Sequence, residues 1–356
     1  DLVGRALMLL RHNAETRESW QARCSVLLVD EVQDVDRSQL ELALLLCGER
    51  RDLFLVGDDD QTIYAWRLAD VRRVLDLAAS LPGLNRVDLV TNYRCPRPVV
   101  ERAVRLVERN GERFVKEIRA RPSADGKLVL APDSGDDVAR ARALLARWLT
   151  AEPGVHAVLA RTNAELTAFA AVALELGIPY RAAEDGLLLD DDAIDEGLAW
   201  LDENAGQFAP AIALARLSTR EGGRARSALL AWSHGMHSPA ELRTAIEATR
   251  AKRGQLRRDD ADLILATAHG TKGLEFDHVA CIGLDEGVFP SRRTLADSDN
   301  PVRAMEEERR LAYVAWTRAK KSLTLVYDPA SPSVFMREAF SDAELGLVGA
   351  TAPGRT

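Results

Sequence analysis

Four consecutive apolar residues, Val26, Leu27, Leu28 and Val29, run straight into Asp30 and Glu31. An apolar run of that length ending in carboxylates predicts a strand buried on both faces, whose last residues emerge at the carboxyl edge of a parallel sheet. In open α/β sheets ligands bind at that edge. Adjacent carboxylates there suit two tasks. Asp30 is a candidate ligand for Mg²⁺, directly or through water, and Glu31 a candidate to orient or deprotonate water attacking a γ-phosphate. The competing reading is that both residues merely cap the helix that follows.

At 356 residues and 47% hydrophobic content, the chain has material for two or three globular domains. Its formal charge of -8 argues against holding nucleic acid by overall positive charge, yet 47 lysines and arginines are enough to line a local channel. Cys24, Cys47, Cys95 and Cys281 are far apart and form no CxxC pair, so neither a zinc site nor a disulfide framework is expected. His234 and His237 have a spacing that suits one helix face, but no further ligand stands near them, and a metal site is not expected. No run of about eighteen apolar residues and no signal-like start exists, so a soluble, cytoplasmic chain is expected. It begins at Asp1 rather than Met, which suggests a piece of something longer.

Along the chain, residues 1–23 read as a helix, Gln39–Cys47 as another, and Leu53–Val56 as a second short buried strand ending in Gly57 and a polar loop. Gln61 in that loop is a candidate to sense a terminal phosphate. Tyr64, Trp66 and Arg67 follow at close spacing, and two aromatics beside a guanidinium suit stacking of unpaired bases, about 1 to 3 kcal/mol per base. The alternative is that Tyr64 and Trp66 are core.

VDEVQD, GDDDQTIYAWR and then LVTNYRCP at 89–96 resemble, in order and spacing, successive motifs of the superfamily 1 helicases of the UvrD/Rep/PcrA type. The resemblance implies that Tyr93 stacks on adenine and Arg94 contacts the γ-phosphate. Further on, LILATAHGTKGLEFDHVACIGLDEGVFP resembles a later motif of the family, and implies that Glu275 contacts the nucleotide ribose while Thr267 and His269 approach DNA. EEERRLAYVAWTRAKKSLTLVY predicts an amphipathic helix, with Leu311, Val314 and Ala315 on one side, ahead of a strand Leu323–Tyr327. By resemblance Arg318 is the arginine finger, a class of residue worth about 10³ to 10⁵ in rate. Its bland alternative is a cation at a helix C-terminus.

Between these motifs the reading is plainer. Helices are expected over Val99–Val107 and Asp137–Leu149, and strands over Lys127–Leu130, His156–Ala160, Leu263–Thr267 and Val279–Leu284. A helix capped by Thr162 or Asn163 should end at Gly177, and further helices should span Ala193–Glu203, Pro210–Leu217 and Pro239–Ala251. Asp190, Asp191, Asp192 and Asp195 read as a solvated helix start. The basic run Arg250, Lys252, Arg253, Arg257 and Arg258 reads as a solvated face or, less simply, as a phosphate-backbone contact.

The fold expected is α/β: two RecA-like, P-loop NTPase-type parallel-sheet domains, the first incomplete, with a short helical insertion in the second. The expected boundaries are 1–90 for the first motor domain, 91–185 with 260–335 for the second, 186–259 for the insertion and 336–356 for a tail. The resemblance implies an ATP-dependent DNA helicase or translocase using ATP and Mg²⁺, moving 3′ to 5′ on single-stranded DNA and meeting single/double-strand junctions in repair or recombination. Two departures stand out. No GxxxxGK[ST] phosphate-binding loop is present, so the loop is expected upstream of Asp1 and these residues alone are expected to be inactive. Leu68 replaces the glycine that follows the arginine in the family's version of QTIYAWR. The alternatives are a helicase-derived module that binds DNA or protein without motor activity, and the motor of a helicase–nuclease complex.

Overall fold

The computed structural model describes residues 1–48, 52–64, 70–81, 83–133, 135–206, 208–216 and 223–347. These form two compact units, each taken by itself below: Asp1–Pro132 with Thr271–Glu275 and Leu284–Thr356, and Asp133–Gly270 with Phe276–Gly283.

The first unit opens with two helices where one was expected, α1 (Leu2–His12) and α2 (Ala14–Arg23). Asn13 is the reason. Its backbone is extended, and its side chain accepts the Thr16 amide at 2.8 Å, which caps α2 at the cost of continuing α1. After β1 (Leu27–Val29), α3 (Arg37–Cys47) begins on a full capping box of Asp36 and Gln39, a device worth about 1 kcal/mol. β2 (Leu53–Leu55) pairs with β1 in parallel, Leu28 opposite Phe54. Here the expectation of a strand buried on both faces is overturned: Leu28 is 71% and Phe54 61% exposed. Among the described residues β1 and β2 form a sheet of two strands, and the face bearing this pair has no layer over it. α4 (Val71–Ser80), β3 (Thr91–Asn92), α5 (Arg97–Val107), β4 (Arg119–Ala120) and β5 (Lys127–Pro132) follow, with β3 and β4 parallel.

The second unit contains α6 (Asp137–Ala151), β6 (His156–Ala160), α7 (Thr167–Leu176), β7 (Tyr180–Ala182), α8 (Asp192–Asn204), α9 (Pro210–Arg216), α10 (Gly223–Trp232), α11 (Pro239–Leu256), β8 (Leu263–Thr267) and β9 (Phe276–Cys281). β6 lies between β8 and β9 and β7 flanks β8, every pair parallel. Each residue of β6 is buried, as its all-apolar run requires. α7 ends on Gly177 at φ 71°, as expected, but starts at a Leu166 cap. Thr162 is instead bound to Glu165, its amide at 2.6 Å and its hydroxyl at 2.9 Å.

Three further expectations change in this unit. β9 starts earlier and stops earlier than the stretch 279–284 suggested. α10 was not anticipated, and His234 and His237 fall in the turn after it rather than on a helix face. The basic run is a solvated face only in part: Lys252 and Arg258 are exposed, whereas three arginines are spent on partners within the unit. Arg250 pairs with Asp195 at 2.9 Å, Arg253 grips Asp185 and Asp190, and Arg257 donates to the Ala182 and Ala183 carbonyls. The acidic cluster supplies their partners, and Asp191 caps α8.

The chain then returns to the first unit with α12 (Arg292–Ala296), α13 (Pro301–Trp316), β10 (Ala319–Tyr327) and α14 (Val334–Ala339). β10 runs parallel to β5, from Ser322 opposite Lys127 to Tyr327 opposite Pro132. α13 starts on an Asn300 cap with Pro301 in its first turn, and it is buried on more than its apolar side: Glu306, Glu308, Arg309 and Arg310 are buried too. Each has a partner, as buried charge demands. Glu306 accepts the Gly111 and Glu112 amides, Glu308 the Ser291 amide, Arg309 takes Glu338 and Asn110, and Arg310 donates to the Glu112 carbonyl. The chain is therefore α/β with its named strands pairing in parallel, as expected. No helix among the described residues is long and apolar enough to cross a membrane.

Candidate active site

Both strands of the first unit's two-stranded sheet end in acidic turns. At the end of β1, Glu31 sits in the left-handed region at φ 50°, with its amide bound to Asp30 Oδ1 at 2.9 Å. Asp30 and Glu31 are both exposed. Gln33, 1% exposed, links the two turns, since its amide nitrogen donates to Glu31 and its Oε1 accepts the Asp58 amide at 3.1 Å. The contact depends on Gly57, where a Cβ would stand 2.5 Å from Gln33 Oε1.

The second turn carries Asp58, Asp59 and Asp60, whose carboxylate oxygens lie within 4.8 Å of one another. A cation already stands among them. Lys116 Nζ is 2.6 Å from Asp58, 2.5 Å from Asp59 and 3.1 Å from Asp60, while Arg113 takes Asp60 in a two-pronged pair at 2.9 and 2.7 Å. Burial works to raise the Asp58 pKa, but the Lys116 ammonium and the Gln61 amide outweigh it and hold the carboxyl below its ordinary value. Burial opposes the charge on Lys116, and the three carboxylates outweigh that as well and raise its pKa. Gln61 is held by this turn: its Nε2 donates to Asp58 Oδ2 at 2.7 Å.

Two cations of the same unit, Lys272 and Arg318, reach the acidic turns. Lys272, with only 7% of its side chain exposed, bonds Asp34 Oδ2 at 2.5 Å and the Gln61 carbonyl at 2.7 Å, lies 3.9 Å from Glu31 Oε2, and rests 5.3 Å from the centre of the half-buried Tyr64 ring. Arg318 is 1% exposed. Its guanidinium donates to the carbonyls of Val314 at 2.9 Å and Leu274 at 3.1 Å, and to Gln61 Oε1 at 3.3 Å. None of its hydrogen-bond partners among the described residues is a carboxylate, and burial, with Arg94 nearby, lowers its pKa to about 10. Arg94 pairs with Glu275 at 2.8 Å, and Lys320 stands 3.7 Å from the same carboxylate. Tyr93 is 74% exposed, its ring open to a ligand.

Side-chain hydrogen bonds run from Gln33 to Glu31 and from Gln61 to Asp58 and Arg318, while Arg94 and Glu275 form a separate pair. An oxygen donor fit for a hard divalent cation is present in Asp30, whose Oδ2 makes no hydrogen bond among the described residues. Asp34 Oδ1 is buried without a hydrogen-bond partner among the described residues, and burial raises the Asp34 pKa despite Lys272. In the second unit, Thr267 ends β8 and accepts the Gly270 amide at 3.4 Å, while His269 is held neutral near pH 7, its pKa lowered to about 4 by burial and by Arg161. Trp66, Arg67 and Leu68 lie outside the described residues.

Sequence reasoning did not single out Gln33, Asp34, Arg113 or Lys116 as site residues. Gln33 carried a signal, a polar residue between apolar Val32 and the acidic Asp34. Arg113 and Lys116 carried none, because their partners are more than 50 positions away in sequence.

Comparison with known proteins agrees with the residues. The family described as the UvrD/REP helicase N-terminal domain matches residues 1–82, and the UvrD-like helicase C-terminal domain matches residues 233–329. DNA helicase II of Escherichia coli K12 is 26% identical over 92% of this chain and 59% of its own length. ATP-dependent DNA helicase Rep of Salmonella typhimurium is 27% identical over 91% and 63%, and ATP-dependent DNA helicase UvrD2 of Mycobacterium tuberculosis 29% over 91% and 50%. The chain thus spans between half and two thirds of the length of these relatives. Both ends of the match belong to one group of proteins in the order its motifs require, and the chain belongs to the UvrD/Rep-type superfamily 1 helicases.

Proposed function

We propose that this chain is the greater part of an ATP-driven DNA helicase that translocates 3′ to 5′ on single-stranded DNA and engages single/double-strand junctions in repair or recombination, in the cytoplasm. The observation that carries the reading is Arg318, a buried guanidinium that has no carboxylate among its hydrogen-bond partners in the described residues and stands close enough to Arg94 for the two charges to repel. A buried guanidinium beside a second cation is costly unless an anion completes it, and a triphosphate is an anion of the right charge. In this reading Arg318 and Arg94 receive charge on the transferring γ-phosphoryl group, Gln61 senses that group, and Glu31 orients the attacking water. Tyr93 stacks on the adenine and Glu275 accepts from the ribose. Asp30 would hold Mg²⁺, which neutralises phosphate charge when bound.

Binding of nucleotide would replace two contacts made within the protein, the Arg94–Glu275 pair and the long Gln61–Arg318 hydrogen bond at 3.3 Å. Tyr64, Trp66, Arg67, Thr267 and His269 are proposed to touch DNA, the aromatics by stacking on bases. Residues 1–90 and 91–185 with 260–335 are proposed as the two motor domains, residues 186–259 as a reduced insertion and 336–356 as a tail. The 356 residues contain no GxxxxGK[ST] run, so by themselves they should hydrolyse ATP weakly or not at all. The decisive test is Glu31→Gln in the natural protein. DNA-stimulated ATP hydrolysis should be lost while nucleotide binding is kept, and undiminished turnover would remove Glu31 from the chemistry and favour a DNA- or protein-binding module.

A further inference from the structure

Gln61 can sense a phosphate only if its amide is held still, and nothing in a three-residue 3-10 turn, Asp59–Gln61, holds it from within. The stiffness comes from a segment distant in sequence. Between α5 and β4 the chain passes without regular secondary structure through Arg113, Phe114 and Lys116, and these three take hold of all three aspartates. Arg113 grips Asp60, the Phe114 amide donates to Asp59 Oδ2 at 2.8 Å, and Lys116 Nζ lies among Asp58, Asp59 and Asp60. Asp58 uses its other oxygen for the Gln61 side-chain amide.

The same segment is anchored on α13. Glu306 accepts the amides of Gly111 and Glu112, Arg310 donates to the Glu112 carbonyl at 2.6 Å, and Arg303 bridges Glu112 and Asp70 at 3.0 and 2.7 Å. α13 in turn ends just before Arg318, the second residue that touches the Gln61 side chain. A closed ring results, from α13 to the 110–116 segment, to the aspartates, to Gln61, to Arg318 and back to α13. Both hydrogen-bonding ends of the Gln61 amide are fixed by this ring, Nε2 from the aspartate side and Oε1 from the α13 side.

We propose that Lys116 and Arg113 are positioning residues for ATP hydrolysis: they hold the Asp58–Asp60 turn so that the Gln61 amide and the Arg318 guanidinium address the same phosphoryl group. The proposal rests on the function assigned above to Gln61 and Arg318. A cluster built only for stability would need neither the Asp58–Gln61 bond nor an anchor on the helix that delivers Arg318. Lys116 touches no substrate in this scheme and acts through the turn it holds, whose Asp58 bonds the Gln61 amide.

The test uses the natural protein and reads kcat and the KM for ATP separately, below the unfolding midpoint of every variant. Lys116→Met should lower kcat on the order of 10- to 100-fold, the scale on which misplacement of a reacting group is felt, with KM nearly unchanged. Lys116→Arg, which keeps the charge, should recover most of the loss. Adding Gln61→Ala to Lys116→Met should cost little more than either change alone, because both act through one amide. Should Lys116→Met fold poorly, Arg113→Lys keeps the charge, loses the two-pronged grip and should again lower kcat alone. If Gln61→Ala slows turnover but Lys116→Met and Arg113→Lys leave kcat intact, or if the losses simply multiply, the positioning role is wrong. If Gln61→Ala itself leaves turnover intact, it is the assignment of Gln61 that fails.

Discussion

Two clusters of charge in the first unit follow opposite rules. Around Asp58–Asp60 every carboxylate has a cation or an amide, Asp60 is fully buried, and Arg113 and Lys116 are both drawn toward the charged form. Around Arg318 the balance is reversed: among the described residues Arg318 has carbonyls and an amide for partners, Arg94 shares Glu275 with Lys320, and Asp34 keeps one buried oxygen without a hydrogen bond. A completed cluster stabilises a geometry and has no further use for a ligand. An incomplete one is where a ligand gains free energy by binding, and where the fold gives up stability to keep the place open.

The sharpest way to break this contrast is Arg318→Lys, which keeps the charge and loses the planar fork. Turnover of the natural protein should fall by about 10³-fold, the low end for an arginine finger, while the urea midpoint hardly moves. Near-normal turnover would make Arg318 an ordinary buried cation. Asp60→Ala tests the other side, since it strands Arg113 in a buried place and should cost about 3 kcal/mol in urea unfolding. A loss no larger than a surface change would mean that the aspartate cluster is not a closed network.

The smallest effect is one of sign, read across pH. Asp34 has a folded pKa above its ordinary 3.8, so its charged form opposes folding, and the stability associated with protonated Asp34 is lost as pH rises through the folded value. Asp58 has a folded pKa below 3.8, so its contribution is present above that pH and lost as pH falls through the folded value. Asp34→Asn should therefore raise the neutral-pH unfolding midpoint, and Asp58→Asn lower it. The gap between the variants should narrow in acid, and a gap that widens there would reverse the assignment of the two clusters.

Much of this was legible in the residues. The bounds of β8 were read as they stand, because five apolar or small residues between polar ones leave little choice of period, and the helix ahead of Arg318 followed from Leu311, Val314 and Ala315. Burial was not legible. Leu28 and Phe54 have the composition of a core strand, but burial is decided by what covers a sheet, and no local pattern reports that. Asn13 broke a helix through one side-chain hydrogen bond that a periodicity argument passes over. The ionic partners were hidden for a related reason: Arg253 with Asp185, or Lys116 with Asp58, is a pairing of tertiary structure. Glu31, Gln61, Arg94 and Arg318 could be named because motif order points to them, whereas the residues that hold Gln61 in place could not.

The left-handed backbone at Glu31 has a practical consequence. A side chain bearing Cβ is held there at a penalty of about 1 to 2 kcal/mol that glycine would not incur. Screening random variants of this protein for heat tolerance alone should therefore enrich Glu31→Gly, a chain that survives warming better than its parent and has discarded the carboxylate the reaction is proposed to need.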